Sequence, residues 1–164
     1  MRFIKLAIIS FIVIAGIITA ISAMIPSKVN IIRSVHLSLP KDSVIHRLSD
    51  MNDWKNWNLY ISNPALTNLT ASANEIRSNE LTVQKTDFRN DSLITLWSQG
   101  SKKTFDGGFV FFGDERETIV QWYFTIQVKW YPWEKFSSVI YEKQIGPMME
   151  ESLNRLSGNR SVAQ

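Results

Sequence analysis

ETIVQWYFTIQVKW, residues 117–130, alternates apolar and polar side chains more cleanly than any other part of this chain. Val120, Trp122, Phe124, Ile126, Val128 and Trp130 share one parity. Gln121, Tyr123, Thr125, Gln127 and Lys129 share the other. A period of two places successive side chains on opposite faces of a strand, so this run predicts one long, half-buried strand. At about 3.3 Å per residue it is long enough to cross a whole domain, and its oily face needs an apolar cover.

The cover is expected from the C-terminal segment, where Phe136, Val139, Ile140, Met148, Met149, Leu153 and Leu156 recur at near-helical spacing. Gly146-Pro147 interrupts that pattern. Proline lacks an N–H and clashes with the preceding turn, so two helical pieces or a kink are expected there, with Pro147 opening the second piece. Gly158 is placed to close the helix.

Upstream, residues 30–39 alternate, with Ile31, Val35, Leu37 and Leu39 on the apolar parity, and Pro40 ends the run. Residues 40–50 read as a short helix with Val44, Ile45 and Leu48 on one face. Residues 50–57, DMNDWKNW, read as a second helical turn carrying Trp54 and Trp57. Residues 58–79 carry little pattern, with an edge strand expected within 69–76. Strands follow at 80–88, 92–98 and 103–112, separated by Asn90-Asp91 and Gly100-Ser101, both good turn pairs. Such an order makes a meander of antiparallel strands closed by a helix.

At the other end, twenty uncharged residues open on Leu6 and close on Ile25. A helix of that length matches the roughly 30 Å hydrocarbon layer of a bilayer, so the segment is expected to partner the membrane as a single span. Pro26 stops it. Arg2 and Lys5 precede it, which favours a cytoplasmic N-terminus and a domain on the far side, while Lys28 and Arg33 on the other flank pull the opposite way. A cleaved signal peptide is the alternative, since Ala20-Ile21-Ser22 is a small-x-small site. The organisation expected is an anchor and short linker at 1–29, one domain at 30–158 and a frayed tail at 159–164.

Composition narrows the function. The chain is 164 residues long, 45% hydrophobic and 20% charged, as a globular domain is. Without Arg2 and Lys5, 16 basic residues face 15 acidic ones, with no basic stripe; nucleic acid is not an expected partner. The absence of cysteine excludes thiol catalysis, zinc–thiolate sites and disulfides. No metal or other cofactor is expected. His36 and His46, the two histidines, fall on polar faces, and no catalytic constellation is visible. Asp106, before Gly107-Gly108, is expected to point outward, and the glycine pair to mark a bulge or bend. Glu134 and Lys135 are placed to bridge the strand exit to the helix, but the preferred reading is helix-start electrostatics, with Glu134 near the positive end. Sequons at Asn68, Asn90 and Asn159 matter only in a glycosylating host.

The order and several motifs resemble the polyketide cyclase/dehydrase-like branch of the START/Bet v 1-like (SRPBCC) superfamily, in particular its membrane-tethered bacterial members. The resemblance lies in Pro26-Ser27-Lys28-Val29, Arg33-Ser34-Val35 and Leu39-Pro40; in LSDMNDWKNW at 48–57; in Val120-Gln121-Trp122; in WYPWEKF at 130–136; and in Gly146-Pro147-Met148-Met149-Glu150 with Leu153 and Leu156. It implies an α+β helix-grip fold, an antiparallel sheet around a long C-terminal helix with a cavity between, and binding of an apolar small molecule or lipid. Residues 58–79 lack the glycines frequent there in that family, which leaves the ligand class open. Trp54, Trp57, Trp97, Phe105, Phe109, Trp122, Phe124, Phe136 and Ile140 are the candidate cavity wall. Two other functions stay open: a cyclase- or hydrolase-type enzyme using Asp106 or Thr95, and an interaction module whose interior is filled by its own aromatics.

Overall fold

The computed structural model describes residues 2–89, 91–100 and 103–158. The turn residues Asn90 and Ser101 and the expected tail at 159–164 lie outside these. The elements run α1 (Arg2–Met24), β1 (Lys28–Leu37), α2 (Lys41–Ser49), a 3-10 turn (Met51–Asp53), α3 (Trp54–Trp57), β2 (Thr70–Ala71), β3 (Glu75–Arg77), β4 (Leu81–Arg89), β5 (Ser92–Gln99), β6 (Lys103–Gly113), β7 (Thr118–Gln127), α4 (Pro132–Ser138) and α5 (Tyr141–Leu156).

The strands form one seven-stranded sheet in the order β1-β7-β6-β5-β4-β3-β2, each neighbouring pair antiparallel. The meander from β2 to β7 is local. The one long-range pairing brings β1 beside β7, with Ile31 opposite Phe124 and Val35 opposite Val120. Together with the C-terminal helix this is the helix-grip arrangement.

β7 obeys the alternation read from its sequence: Thr118, Val120, Trp122 and Phe124 are buried and their neighbours are not. The strand ends at Gln127, three residues before the apolar parity runs out, and Trp130 is 70% exposed. Leu39 likewise lies beyond β1 and is exposed.

Three expectations change. The C-terminal segment does divide in two, but at Val139–Ile140, where Val139 N–H donates to Phe136 O and Ile140 N–H to Ser137 O, and not at Gly146-Pro147. Helix α5 runs unbroken through Pro147. Gly146 is there for another reason: a Cβ on it would lie 2.4 Å from Arg33 Nη2, so the glycine lets the guanidinium of β1 lie against the helix. Gly107-Gly108 is not a bulge, for the ladder runs unbroken through both to β5 and to β7. The irregularity lies in β4, between Lys85 and Asp87. Nor does α5 cover β7 by itself. It packs over β1 and against α3, and the space above β7 is taken by aromatic rings carried on the segment from Trp54 to Tyr60.

Gly158 does close α5, at φ 80°, with its N–H donating to Arg155 O. Arg47 of α2 donates to Leu156 O at the same helix end, tying the two helices together.

Candidate functional site: an aromatic interior with unpaired donors

Seven of the nine candidate wall residues come together. Trp54, Trp57, Trp97, Phe109, Trp122 and Phe124 are each at most 1% exposed, and Phe105 packs against them at the edge. Their rings touch in a continuous network. Trp54 meets Phe109 edge-on at 5.5 Å, Phe109 stacks on Trp122 at 5.2 Å, and Trp97 meets Phe124 edge-on at 5.0 Å. Offset and edge-to-face contacts at such spacings are the favoured arrangements of aromatic quadrupoles.

Local sequence places each ring. Trp97, Phe109, Trp122 and Phe124 stand on the apolar parity of β5, β6 and β7. Trp54 and Trp57 sit three apart on α3, so both face the sheet. Gly107 clears room for the cluster, because a Cβ there would stand 2.7 Å from the Phe124 ring and 3.1 Å from Trp97 Nε1.

Phe136 and Ile140 lie outside this ring cluster; they are 43% and 47% exposed. Helix α4 is turned the other way and buries Lys135 and Ser138. The Lys135 ammonium donates to Ile25 O and Ser27 Oγ, both at 2.7 Å. Lys135 therefore clasps the end of α1, and that orientation points Phe136 outward.

Residues 58–61, where pattern was weak, supply part of the site. The Tyr60 ring meets Trp97, Trp122 and Phe124 edge-on at 5.9–6.1 Å, and its hydroxyl donates to Ile145 O of α5 at 3.1 Å. Burial pushes the Tyr60 phenol well above the ordinary tyrosine range. Leu59 N–H donates to Ser152 Oγ. Asn58 is fully buried and shapes the turn: its side-chain oxygen accepts from Tyr60 N–H and its carbonyl from Ile61 and Ser62. The available signal was the spacing of Trp54, Trp57 and Tyr60, an aromatic every third residue.

Polar satisfaction inside the cluster is uneven. Trp54 Nε1–H donates to Leu48 O and Trp97 Nε1–H to Thr95 Oγ1, each at 2.9 Å. Trp57 Nε1, Trp122 Nε1 and Asn58 Nδ2 find no partner among the described residues. All three are donors. The Trp57 and Trp122 rings are in contact at 6.0 Å, and Asn58 follows Trp57 in the chain. A buried donor without an acceptor costs on the order of 1–3 kcal/mol.

The polar groups considered for chemistry lie on the outer surface or are already engaged. Asp106 is exposed on the outer face, beside Tyr123. Buried Thr95 already accepts from Trp97. His36 is exposed and paired with Glu117 at 3.0 Å. A solvent-open cleft between Pro40, Lys41 and Asp42 and the β6–β7 turn, Asp114 and Glu115, is remote from the rings in character: charged, small and on the surface.

No family model and no curated protein matches the sequence. Solved structures do match the fold. A START superfamily protein from Mycobacterium smegmatis aligns over 79% of this chain and 94% of its own, with a TM-score of 0.56 and 15% identity. The chain has a START-like helix-grip fold. The protein CalU16 from Micromonospora echinospora aligns over 81% of this chain and 77% of its own, with a TM-score of 0.53 and 11% identity. Truncated norcoclaurine synthase from Thalictrum flavum aligns over 79% and 93%, with a TM-score of 0.54 and 8% identity. At these identities the likeness speaks to the fold alone.

Helix α1 is long and apolar enough to cross a membrane, and almost none of it is buried against the rest of the chain. A signal sequence has the same properties.

Proposed function

We propose that the chain is a membrane-tethered binding domain for an apolar small molecule or lipid carrying a hydrogen-bond acceptor, held by residues 30–158 between the sheet and the Trp54–Tyr60 segment that α5 backs. The observation that carries this reading is the set of unpaired donors, Trp57 Nε1, Trp122 Nε1 and Asn58 Nδ2, inside an otherwise apolar aromatic cluster. An oxygen-bearing apolar guest would accept from these donors while its hydrocarbon part meets the rings. Trp54, Trp57, Trp97, Phe105, Phe109, Trp122 and Phe124 form the wall. Entry requires the Trp54–Tyr60 segment to shift; its ties to α5 are the bonds from Leu59 to Ser152 and from Tyr60 to Ile145. Helix α1 would keep the domain at the bilayer, where such molecules partition. By the charge on its flanks, the domain faces away from the cytoplasm.

The test is native mass spectrometry of the full chain released from its membrane in mild detergent. Retention of a discrete apolar molecule supports the reading. A matched pair of probes, a fatty ketone and the corresponding alkane, tests the donors: the ketone should bind more tightly, and Trp57→Phe with Trp122→Phe should narrow the difference. Equal affinity for both probes would discard the donor argument. The chain has no cysteine, so a single Glu115→Cys and a membrane-impermeant thiol reagent report which side the domain occupies.

A second reading has its own support. The rings touch one another throughout, as they would in an interaction module with a filled core. A chain that carries no guest and binds neither probe would favour it.

A further inference from the structure

We infer that α4 and its flanks form a seat in the interfacial layer of the bilayer, so that the domain lies against the membrane in one fixed orientation and does not swing on its tether. The inference rests on α1 being retained as a membrane span.

The first observation is an inverted helix. A surface helix on a water-facing domain buries apolar side chains and exposes polar ones. Helix α4 does the reverse, burying Lys135 and Ser138. Trp130, Trp133, Phe136, Val139 and Ile140 are 70%, 66%, 43%, 60% and 47% exposed. Five large apolar side chains exposed within eleven residues concentrate apolar surface in one short segment, unlike the isolated apolar residues common on protein surfaces.

The second observation is its place. The two 2.7 Å bonds from the Lys135 ammonium reach Ile25 O and Ser27 Oγ, the point where the chain leaves α1. Ser22, in the last turns of α1, is 1% exposed, and α1 contacts α4. If α1 crosses the bilayer, α4 is held at the depth where the span emerges. The patch is therefore continuous with the lipid-facing surface of α1, and lipid is the occupant this geometry selects.

The third observation is chemical. Tryptophan and tyrosine concentrate at membrane–water interfaces because their rings are apolar and their N–H or O–H is polar. Tyr131 stacks on Trp133 at 4.9 Å with the ring planes nearly parallel, and Trp130 lies 4.8 Å from Tyr131. The three rings form an aromatic group with polar edges, suited to the headgroup boundary. A helix with an apolar outer face, lying flat in that layer, buries the face without crossing the membrane.

The experiment uses the full chain in nanodiscs, with phosphatidylcholine brominated either near the headgroup or near the chain end. Trp54, Trp57, Trp97 and Trp122 are buried in the domain, so the quenching that belongs to the seat is the part that Trp130→Phe with Trp133→Phe removes; quenching left unchanged by that double variant comes from lipid in the interior and overturns the seat. Shallow bromines should quench more than deep ones, and Trp130→Phe with Trp133→Phe should lower the quenching about twofold or more. Carbonate extraction, run on the same preparation, reports the anchor separately. A chain that resists extraction yet shows no lipid quenching, with Trp130 and Trp133 open to acrylamide or shielded by a second copy, overturns the seat and leaves the tether intact. A chain that carbonate releases overturns both.

Discussion

Gly107 and Gly108 stand side by side on β6 and answer to opposite faces of the sheet. On the inner face, the space at Gly107 belongs to the Phe124 ring and the Trp97 indole. On the outer face, a Cβ at Gly108 would lie 2.5 Å from Leu93 O and 2.8 Å from the Tyr123 hydroxyl. Gly107→Ala sets a methyl against the Phe124 ring and the Trp97 indole, which must give way, so it should cost about 1–3 kcal/mol. A urea titration followed by circular dichroism measures this as a lower midpoint with an unchanged slope. Tyr60 offers a second test. Its phenol is held neutral by burial, so its folded pKa lies above the unfolded value of roughly 10. The folded state then binds more protons than the unfolded state above that pH. Stability is complete below about pH 10 and falls as pH rises past it. Tyr60→Phe should flatten the decline between about pH 9.5 and 11.5 in denaturant midpoints. A smaller decline should persist, because burial and the nearby Asp106 carboxylate also push the Tyr123 phenol up. An identical pH profile in Tyr60→Phe would mean that partial burial does not hold the Tyr60 phenol neutral.

At the scale of elements, the C-terminal segment sets two rules against each other. Pro147 is exposed and lies in the seventh position of α5, where it cannot donate the usual i→i−4 bond to the Lys143 carbonyl. The helix persists because its buried side, Gly146, Met149, Ser152, Leu153 and Leu156, is engaged with the rest of the fold. Proline in a helix interior is about 3 kcal/mol worse than alanine, so Pro147→Ala should stabilise the domain by up to about that amount. Thermal melting should show a higher Tm; an unchanged or lower one would show that the proline is accommodated without strain. The break before α5 is elsewhere because α4 obeys another demand. Lys135 has to reach the end of α1, and that fixes which side of α4 faces inward.

Across the whole molecule, α1 and the sheet are joined by the linker and by α4, with Lys135 as the polar clasp. Lys135→Met should leave sheet melting nearly unchanged and loosen the linker. Hydrogen bonds from a charged donor contribute about 1.5–3 kcal/mol, so trypsin cleavage at Lys28 in nanodiscs should quicken about tenfold or more. Unaltered cleavage would show that contacts other than Lys135 hold the linker. The local elements were legible in the sequence because each rests on a short-range period. The unbroken apolar run of α1, the alternation of β7 and the order of strands and helices all follow from neighbours along the chain. The inward placement of seven of the nine candidates was legible for the same reason: their strand parity or helical spacing turns them toward the core. Tertiary structure alone decided the rest. Tyr60 becomes part of the ring cluster through Ile145, 85 residues away, and Lys135 is buried through Ile25, 110 residues away. Neither partner lies within the window that a local pattern samples. A lysine beside a helix start has no distant acceptor that local pattern can name, and a tyrosine in a weakly patterned stretch shows no inward face until the chain folds around it.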